Sequence, residues 1–296
     1  MKKETEKSLA EQRIIDQADS WARSLWDRSL KRWADRTGQD RTYRQLVIHP
    51  FLFDYLESNL PRIPRHLLDL GCGDGILMND PRFQSSVGDG GSYLGVDLSG
   101  TLMGLANSEA SRANTSFLAM NVTSPGLVSA VLAARPSWDA VLSVFMVQEI
   151  ADIHAFFRNL EPLLAPDTRA LVITVHPDFA EWLRERGRLA VNPDLSGGSV
   201  SAPETWRWAG AYPIVDEPRE PFYLPHFQRS FEDYRAIIEQ SGLVLDRVIE
   251  LPPSGTLPGL VRGGISPFRP FEGNVYWPRI SETPSSAALV IRKGMR

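Results

Sequence analysis

The stretch His66-Leu67-Leu68-Asp69-Leu70-Gly71-Cys72-Gly73-Asp74-Gly75-Ile76-Leu77 constrains this chain most. Apolar residues broken by one acid read as a short buried strand. Glycines follow at alternate positions 71, 73 and 75, and then Ile76, Leu77 and Met78 restart an apolar pattern suited to a helix or turn. Glycine lets the backbone turn sharply and lets a ligand approach where a Cβ would block it. A helix start adds free N–H donors. The stretch therefore predicts a ligand cradle at the end of a strand. A dinucleotide fingerprint, G-x-G-x-x-G, would need its third glycine at position 76, where isoleucine stands.

The 296 residues allow one enlarged α/β domain or two small ones. The net charge of −4 offers no basic excess for nucleic acid or an anionic membrane. Cys72 is the single cysteine, so no disulfide can form within the chain, which suits a reducing compartment. The charged start, Met1 to Gln12, carries no apolar signal region, and no run approaches the roughly 18 apolar residues of a membrane span. These features predict a cytoplasmic protein without a nucleic-acid or membrane partner.

Residues 8–35 carry a helical stripe in Ile14, Ala18, Trp21 and Leu25, extended by Trp26, Leu30 and Trp33. The tryptophans would pack this helix on the body, line a substrate mouth, or make a homodimer contact. Thr37-Gly38-Gln39-Asp40 is expected to break it. A second helix is expected from Thr42 to about Leu60, with Pro50 as a kink. Short strands are expected at Tyr93–Asp97, Phe117–Met120, Trp138–Met146 and Arg169–Val175, with helices between them. Five such strands imply a parallel sheet covered on both faces. Ligands of such sheets sit beyond the carboxyl ends of the strands, where Gly71, Asp97, Asn121, Phe145 and His176 would gather. Asp97, at the end of the second strand, is placed to accept both ribose hydroxyls of an adenosine. Asn121 and Val122 would form an adenine rim.

Taken in order, HLLDLGCGDG, YLGVDLS, MNV, WDAVLSVFMVQEI and ALVITVHPDF, over about residues 65–177, resemble class I S-adenosylmethionine-dependent methyltransferases, in particular the bacterial small-molecule type. The resemblance implies a seven-stranded, mostly parallel, doubly wound α/β sheet whose final strand runs antiparallel beside the fifth. It implies an N-terminal helical cap over residues 1–60 and a core over 61–296. It also implies S-adenosylmethionine as cofactor. The contacts it implies are Asp69, Gly71, Cys72 and Gly73 at the glycine turn, Asp97 and Leu98 at the ribose, and Asn121 and Val122 at the adenine. Val144, Phe145 and Gln148 follow the fourth strand, and Arg44, or else Tyr43 or Arg41, would meet the methionine carboxylate.

The sulfonium methyl is already activated, so a base is needed only for a nucleophile that carries a proton. His176 at the tip of the fifth strand, His226 and Glu149 are the candidates. No cluster of residues has metal-ligand spacing, so no metal is expected. Residues 177–230 hold Trp182, Trp206, Trp208, Tyr212, Phe222, Tyr223 and Phe227, which suits an aromatic lid over an apolar acceptor. A second Pro/Gly-rich loop spans about 252–285. Ser143-Val144-Phe145-Met146 lacks the Asn/Asp-Pro-Pro-aromatic pattern of enzymes that modify nucleic acid, so a small, partly apolar acceptor is expected. The competing readings are a methyltransferase fold used by a cyclase or a regulator, and a nicotinamide-dependent oxidoreductase.

Overall fold

A computed structural model describes residues 2–60, 63–87, 90–109, 114–195, 206–214, 222–251 and 283–294. The chain opens with α1 (Lys2–Tyr43), a π-helical turn over Arg44–Ile48, and α2 (His49–Asn59). The helix is not broken at Thr37–Asp40: one helix runs through that segment, and the irregularity falls at the π turn instead. Pro50 sits at the start of α2, where its missing N–H costs nothing.

The sheet is then built from β1 (His66–Leu70), α3 (Pro81–Val87), β2 (Ser92–Asp97), α4 (Gly100–Glu109), β3 (Thr115–Ala119), α5 (Leu127–Ala134), β4 (Ala140–Val144), α6 (Ile153–Leu160) and β5 (Arg169–Val175). Next come α7 (Pro177–Glu185), β6 (Ala190–Val191), β7 (Trp208–Ile214), β8 (Phe222–Gln228), α8 (Phe231–Gln240), β9 (Leu243–Glu250) and β10 (Ser286–Lys293). The main sheet has the order β3-β2-β1-β4-β5-β10-β9. Strands β1 to β5 pair in parallel, and β10 runs antiparallel to both β5 and β9. The order reverses between β1 and β4, which opens a crevice at their carboxyl ends.

The alternation of β1 shows how the core is divided. Leu67 packs on one face with Leu52 and Leu56 of α2, while Leu68 and Leu70 pack on the other with Val131, Phe156 and Ile237. Ser230 caps α8 in a reciprocal capping box with Asp233, which fixes where that helix starts.

The described parts of residues 177–230 carry secondary structure. They hold α7 and an antiparallel sheet of order β6-β7-β8. Trp206 and Phe227 pack with Ala18 and Ala22 of α1, and Trp21 meets Phe227 edge-on at 6.0 Å. Arg229, just after β8, is 2% exposed and fastens this sheet to the chain that follows β4. Its guanidinium donates to the carbonyls of Val147 (3.2 Å), Phe227 (3.3 Å), Ile150 (2.7 Å) and Ala151 (3.2 Å). The sequence expectation for residues 252–282 lies outside the described residues.

Replacing Arg229 with methionine keeps the volume but strips those carbonyls of their donor. Leaving buried polar groups unpaired costs about 1–3 kcal/mol each before relaxation. Arg229→Met should therefore lower the unfolding free energy in urea by about 3–5 kcal/mol, while the exposed Arg247→Met stays within about 0.5 kcal/mol.

Candidate functional site

Glycines 71, 73 and 75 have φ of +79°, +59° and +74°, a left-handed zigzag that turns the chain at the end of β1. A Cβ on Gly71 would lie 2.5 Å from the Met146 side chain, and one on Gly75 would lie 2.8 Å from the Phe117 ring. The turn is tied to the end of β2. The N–H groups of Gly71 and Cys72 both donate to the Val96 carbonyl, at 2.7 and 3.1 Å. Asp97 takes the Gly73 N–H on Oδ2 (3.0 Å) and the Ser99 N–H on Oδ1 (2.9 Å).

Above this turn lies a cavity of about 420 Å³, within the usual range for small-molecule sites. Its floor is Gly71, Gly73 and Asp97–Leu102, its far wall Asn121–Thr123, and its near wall Val144–Met146, Glu149 and Ile150. The roof is α1, through Asp19, Ala22, Arg23, Trp26, Asp27 and Leu30, with Arg44 at one corner. The π turn puts the Arg44 guanidinium 5.9 Å from the centre of the Phe145 ring. Phe145 has φ +54°, a strained setting for a side chain with a Cβ, and its N–H donates to the Ile173 carbonyl at 2.9 Å.

Burial raises the pKa of several carboxyls here. Burial raises that of Asp97 despite its two backbone donors. Asp19 is pushed up to about 6 by burial and then by Asp152. Burial holds the Glu149 carboxyl well above the usual range, although its Oε2 accepts the Trp26 indole N–H at 3.0 Å and its Oε1 faces the Gln148 amide at 3.4 Å. Asp69 lies beneath the turn and is pushed up to about 6, mainly by burial. Its Oδ2 accepts the Tyr93 hydroxyl at 2.8 Å, and its Oδ1 has no partner.

The cavity gathers Arg44, Gly71, Gly73, Asp97, Leu98, Asn121, Val122, Val144, Phe145 and Glu149 from the residues expected on sequence grounds. Asp69, Cys72 and Gln148 stand behind that lining as supports. Gln148 accepts from Thr174 (3.3 Å) and faces Glu149. Burial pushes the Cys72 thiol up, which suits packing against Gly95. The Tyr43 and Arg41 side chains lie outside the described residues. Asn121 differs in detail from its expected use: its Oδ1 accepts the Thr123 N–H and hydroxyl at 3.0 and 2.9 Å, so its amide group, not its carbonyl, is the free end.

The two histidines are not in the cavity lining. His176 is the N-cap of α7: its Nδ1 accepts the Asp178 N–H at 3.2 Å, and its Nε2 faces Glu250 at 3.4 Å. A strand tip followed by Pro177 called for a cap, and the imidazole supplies it. His226 is buried in β8 against Trp208 and Gln228, and burial pushes its pKa down to about 4, so it is neutral. Sequence reasoning missed Asp19, Arg23 and Asp27. The signal was available, since positions 19, 22, 23, 26, 27 and 30 fall on one helical face.

The sheet order, with its crevice at the switch point, is that of a class I methyltransferase fold. Residues 68–170 match the family model described as a methyltransferase domain. A ubiquinone biosynthesis O-methyltransferase of Ralstonia nicotianae is 25% identical over 154 residues, 51% of this chain and 60% of that protein. The namesake from Albidiferax ferrireducens is 29% identical over 136 residues, 46% of this chain and 50% of that one. The chain thus spans less than two thirds of the length of these relatives. Among solved structures, the Haloferax volcanii complex of the Trm112 methyltransferase activator with a methyltransferase aligns over 93% of this chain and 98% of that chain, with TM-score 0.56 and 16% identity. The plantazolicin methyltransferase BamL, crystallised with a triazolic desmethylPZN analog and SAH, aligns over 99% of both chains with TM-score 0.55 and 15% identity. At those identities the structures bear on fold alone. The fold is thus that of class I methyltransferases, and the stretch that carries the glycine turn is the one similar to a methyltransferase domain. Among the described residues no group of three or more His, Cys, Asp or Glu could hold a metal, and no helix is long and apolar enough to cross a membrane.

Because the Asp69 pKa is raised on folding, its ionised form destabilises the native state. That cost is full above about pH 6 and vanishes below 3.8. Asp69→Asn should raise the unfolding free energy at pH 8, on the order of 2–3 kcal/mol, with the gain shrinking as pH falls from 6 to 4. Urea titrations of both proteins across that range check it.

Proposed function

We propose that this chain binds S-adenosylmethionine in the 420 Å³ cavity and transfers its methyl group to a small, partly apolar acceptor. The observation that carries this reading is Asp97: a carboxylate at the tip of β2, lining the cavity, with its pKa raised because two backbone donors do not replace the water it lost. A pair of ribose hydroxyls is the kind of donor that such a group lacks. The open space over Gly73, where an added Cβ would meet nothing within 4 Å, leaves room for a ligand against the backbone.

The residues present fit this cofactor. Asp97 would hold the ribose, Asn121 and Val122 the adenine, and Arg44 the methionine carboxylate. Asn121 would meet the base through its amide N–H groups, which suit a ring-nitrogen acceptor better than an exocyclic amine. When bound, the cofactor supplies an activated methyl on a sulfonium. The chain's own task is to exclude water and align the acceptor, for which α1 is the roof. We take residues 1–60 as this cap and 61–296 as the core. Ala22, Trp26, Leu30 and Phe145 give the cavity its apolar share, which supports a partly apolar acceptor. The relatives named O-methyltransferases support an oxygen nucleophile. Glu149 and Asp19 are the cavity acids we assign to handle that group's proton, in place of the histidines.

Calorimetric titration should show S-adenosylmethionine binding in the micromolar range and NADH not binding. Asp97→Ala should weaken the former at least tenfold, about 1.4 kcal/mol. Binding of NADH in place of S-adenosylmethionine would overturn the reading.

A further inference from the structure

The chain reverses one side chain at the end of β4. Along that strand Ala140, Leu142 and Val144 pack on the face of α2 and the π turn, and Val141 packs on the other face. Successive residues of an extended strand point to opposite faces, so Phe145 should join Val141. It packs with Val144 instead, on the side of Val47 and Ile48, and Met146 takes the opposite face. The cause is its φ of +54°. Among the described residues the other non-glycine residue with positive φ is Asn114, whose short amide tolerates a region that costs a phenylalanine more. Contacts on either side hold the strain in place. The Phe145 N–H donates to the Ile173 carbonyl of β5 at 2.9 Å, and the Met146 side chain sits against Gly71. Such an outlier points to a use for the side chain that it turns. The ring lies in the cavity wall, with the Arg44 guanidinium 5.9 Å from its centre.

Resting on the cofactor reading above, we propose that Phe145 is a positioning residue for Arg44: the reversed backbone carries the ring to the guanidinium, and the ring holds that group where the methionine carboxylate of the cofactor binds. The charge of Arg44 also acts on Asp69 of β1, Asp97 at the end of β2 and Glu149 in the turn after β4. A long cationic side chain beside these acids has several places to go. An aromatic face within about 6 Å gives it one. The ring takes the flat side of the guanidinium and uses none of the N–H donors, which lie in its plane and are what a carboxylate accepts in pairs. The ring thereby favours a ligand that carries the carboxylate and adds nothing for one that lacks it.

The test is calorimetric titration of the intact protein with two thioethers that share the nucleoside: S-adenosylhomocysteine, which carries the carboxylate, and methylthioadenosine, which does not. The wild type should bind the first more tightly. Phe145→Leu should weaken S-adenosylhomocysteine at least about threefold and leave methylthioadenosine within about twofold. Phe145→Tyr keeps the ring and should bind both like the wild type. Arg44→Met should narrow the gap between the ligands, and adding Phe145→Leu to it should change neither affinity further. Phe145→Gly separates strain from ring, because glycine meets a φ of +54° without penalty. This variant should bind as Phe145→Leu does, and it carries the test if leucine at that φ does not fold. Equal weakening of both ligands in Phe145→Leu and Phe145→Gly overturns the inference, since the ring would then act on the nucleoside or on the cavity as a whole. So does an unchanged affinity for S-adenosylhomocysteine, a loss that persists in full on top of Arg44→Met, or a wild type that does not distinguish the two ligands; each leaves the cofactor reading standing. Failure of both ligands to bind the wild type overturns that reading and this inference with it.

Discussion

The knot between the first two strand ends is what the rest of this structure depends on. Val96 offers one carbonyl to two successive N–H groups of the glycine turn, and Asp97 offers one carboxylate to Gly73 and Ser99. These bonds require positive φ at the glycines. They also require β1 and β2 to be adjacent and parallel, which the register His66 to Ser92 through Leu70 to Val96 supplies. The same constraint leaves Gly95 without space for a Cβ, which would lie 2.6 Å from both the Cys72 sulfur and the Phe117 ring. The turn, the acid that faces the ligand and the packing beneath them are one arrangement.

Over this floor the chain builds a roof from distant segments. The long α1 rests on the small antiparallel sheet, with Ser29 donating to the Tyr223 carbonyl at 2.8 Å. Arg229 fixes that sheet to the chain after β4, and Trp26 bonds directly to Glu149 in the same region. The cavity is therefore closed by contacts more than a hundred residues apart in sequence, such as Trp26 with Glu149. Burial disfavours the charged form of several of its acids, Asp97 and Glu149 among them.

The strands and the glycine turn were legible because each rests on local pattern. Ala170–Ile173 is a run of apolar residues, and Ser230 with Asp233 spells a capping box. The floor of the cavity was legible for the same reason, as Asp97 ends a strand at a recognisable spacing. The roof was only half legible. The periodicity of Trp26 and Leu30 marked a helix face, but which side met the cavity depended on β8, whose pairing with β7 joins segments that no local signal links. Gly38 read as a breaker, yet α1 continues through it, and the real irregularity is the π turn that aims Arg44. His176 looked like chemistry at a strand tip; the need of α7 for a cap took it. Partnerships set by tertiary contact decide such roles, and a linear pattern does not carry them.

A crystal structure of the protein with S-adenosylhomocysteine tests the central claim most directly. The account predicts the nucleoside between the glycine turn and α1, with its ribose hydroxyls within hydrogen-bonding distance of Asp97 and its carboxylate at Arg44. A ligand bound away from this cavity, or in it with Asp97 facing no hydroxyl, would contradict the account.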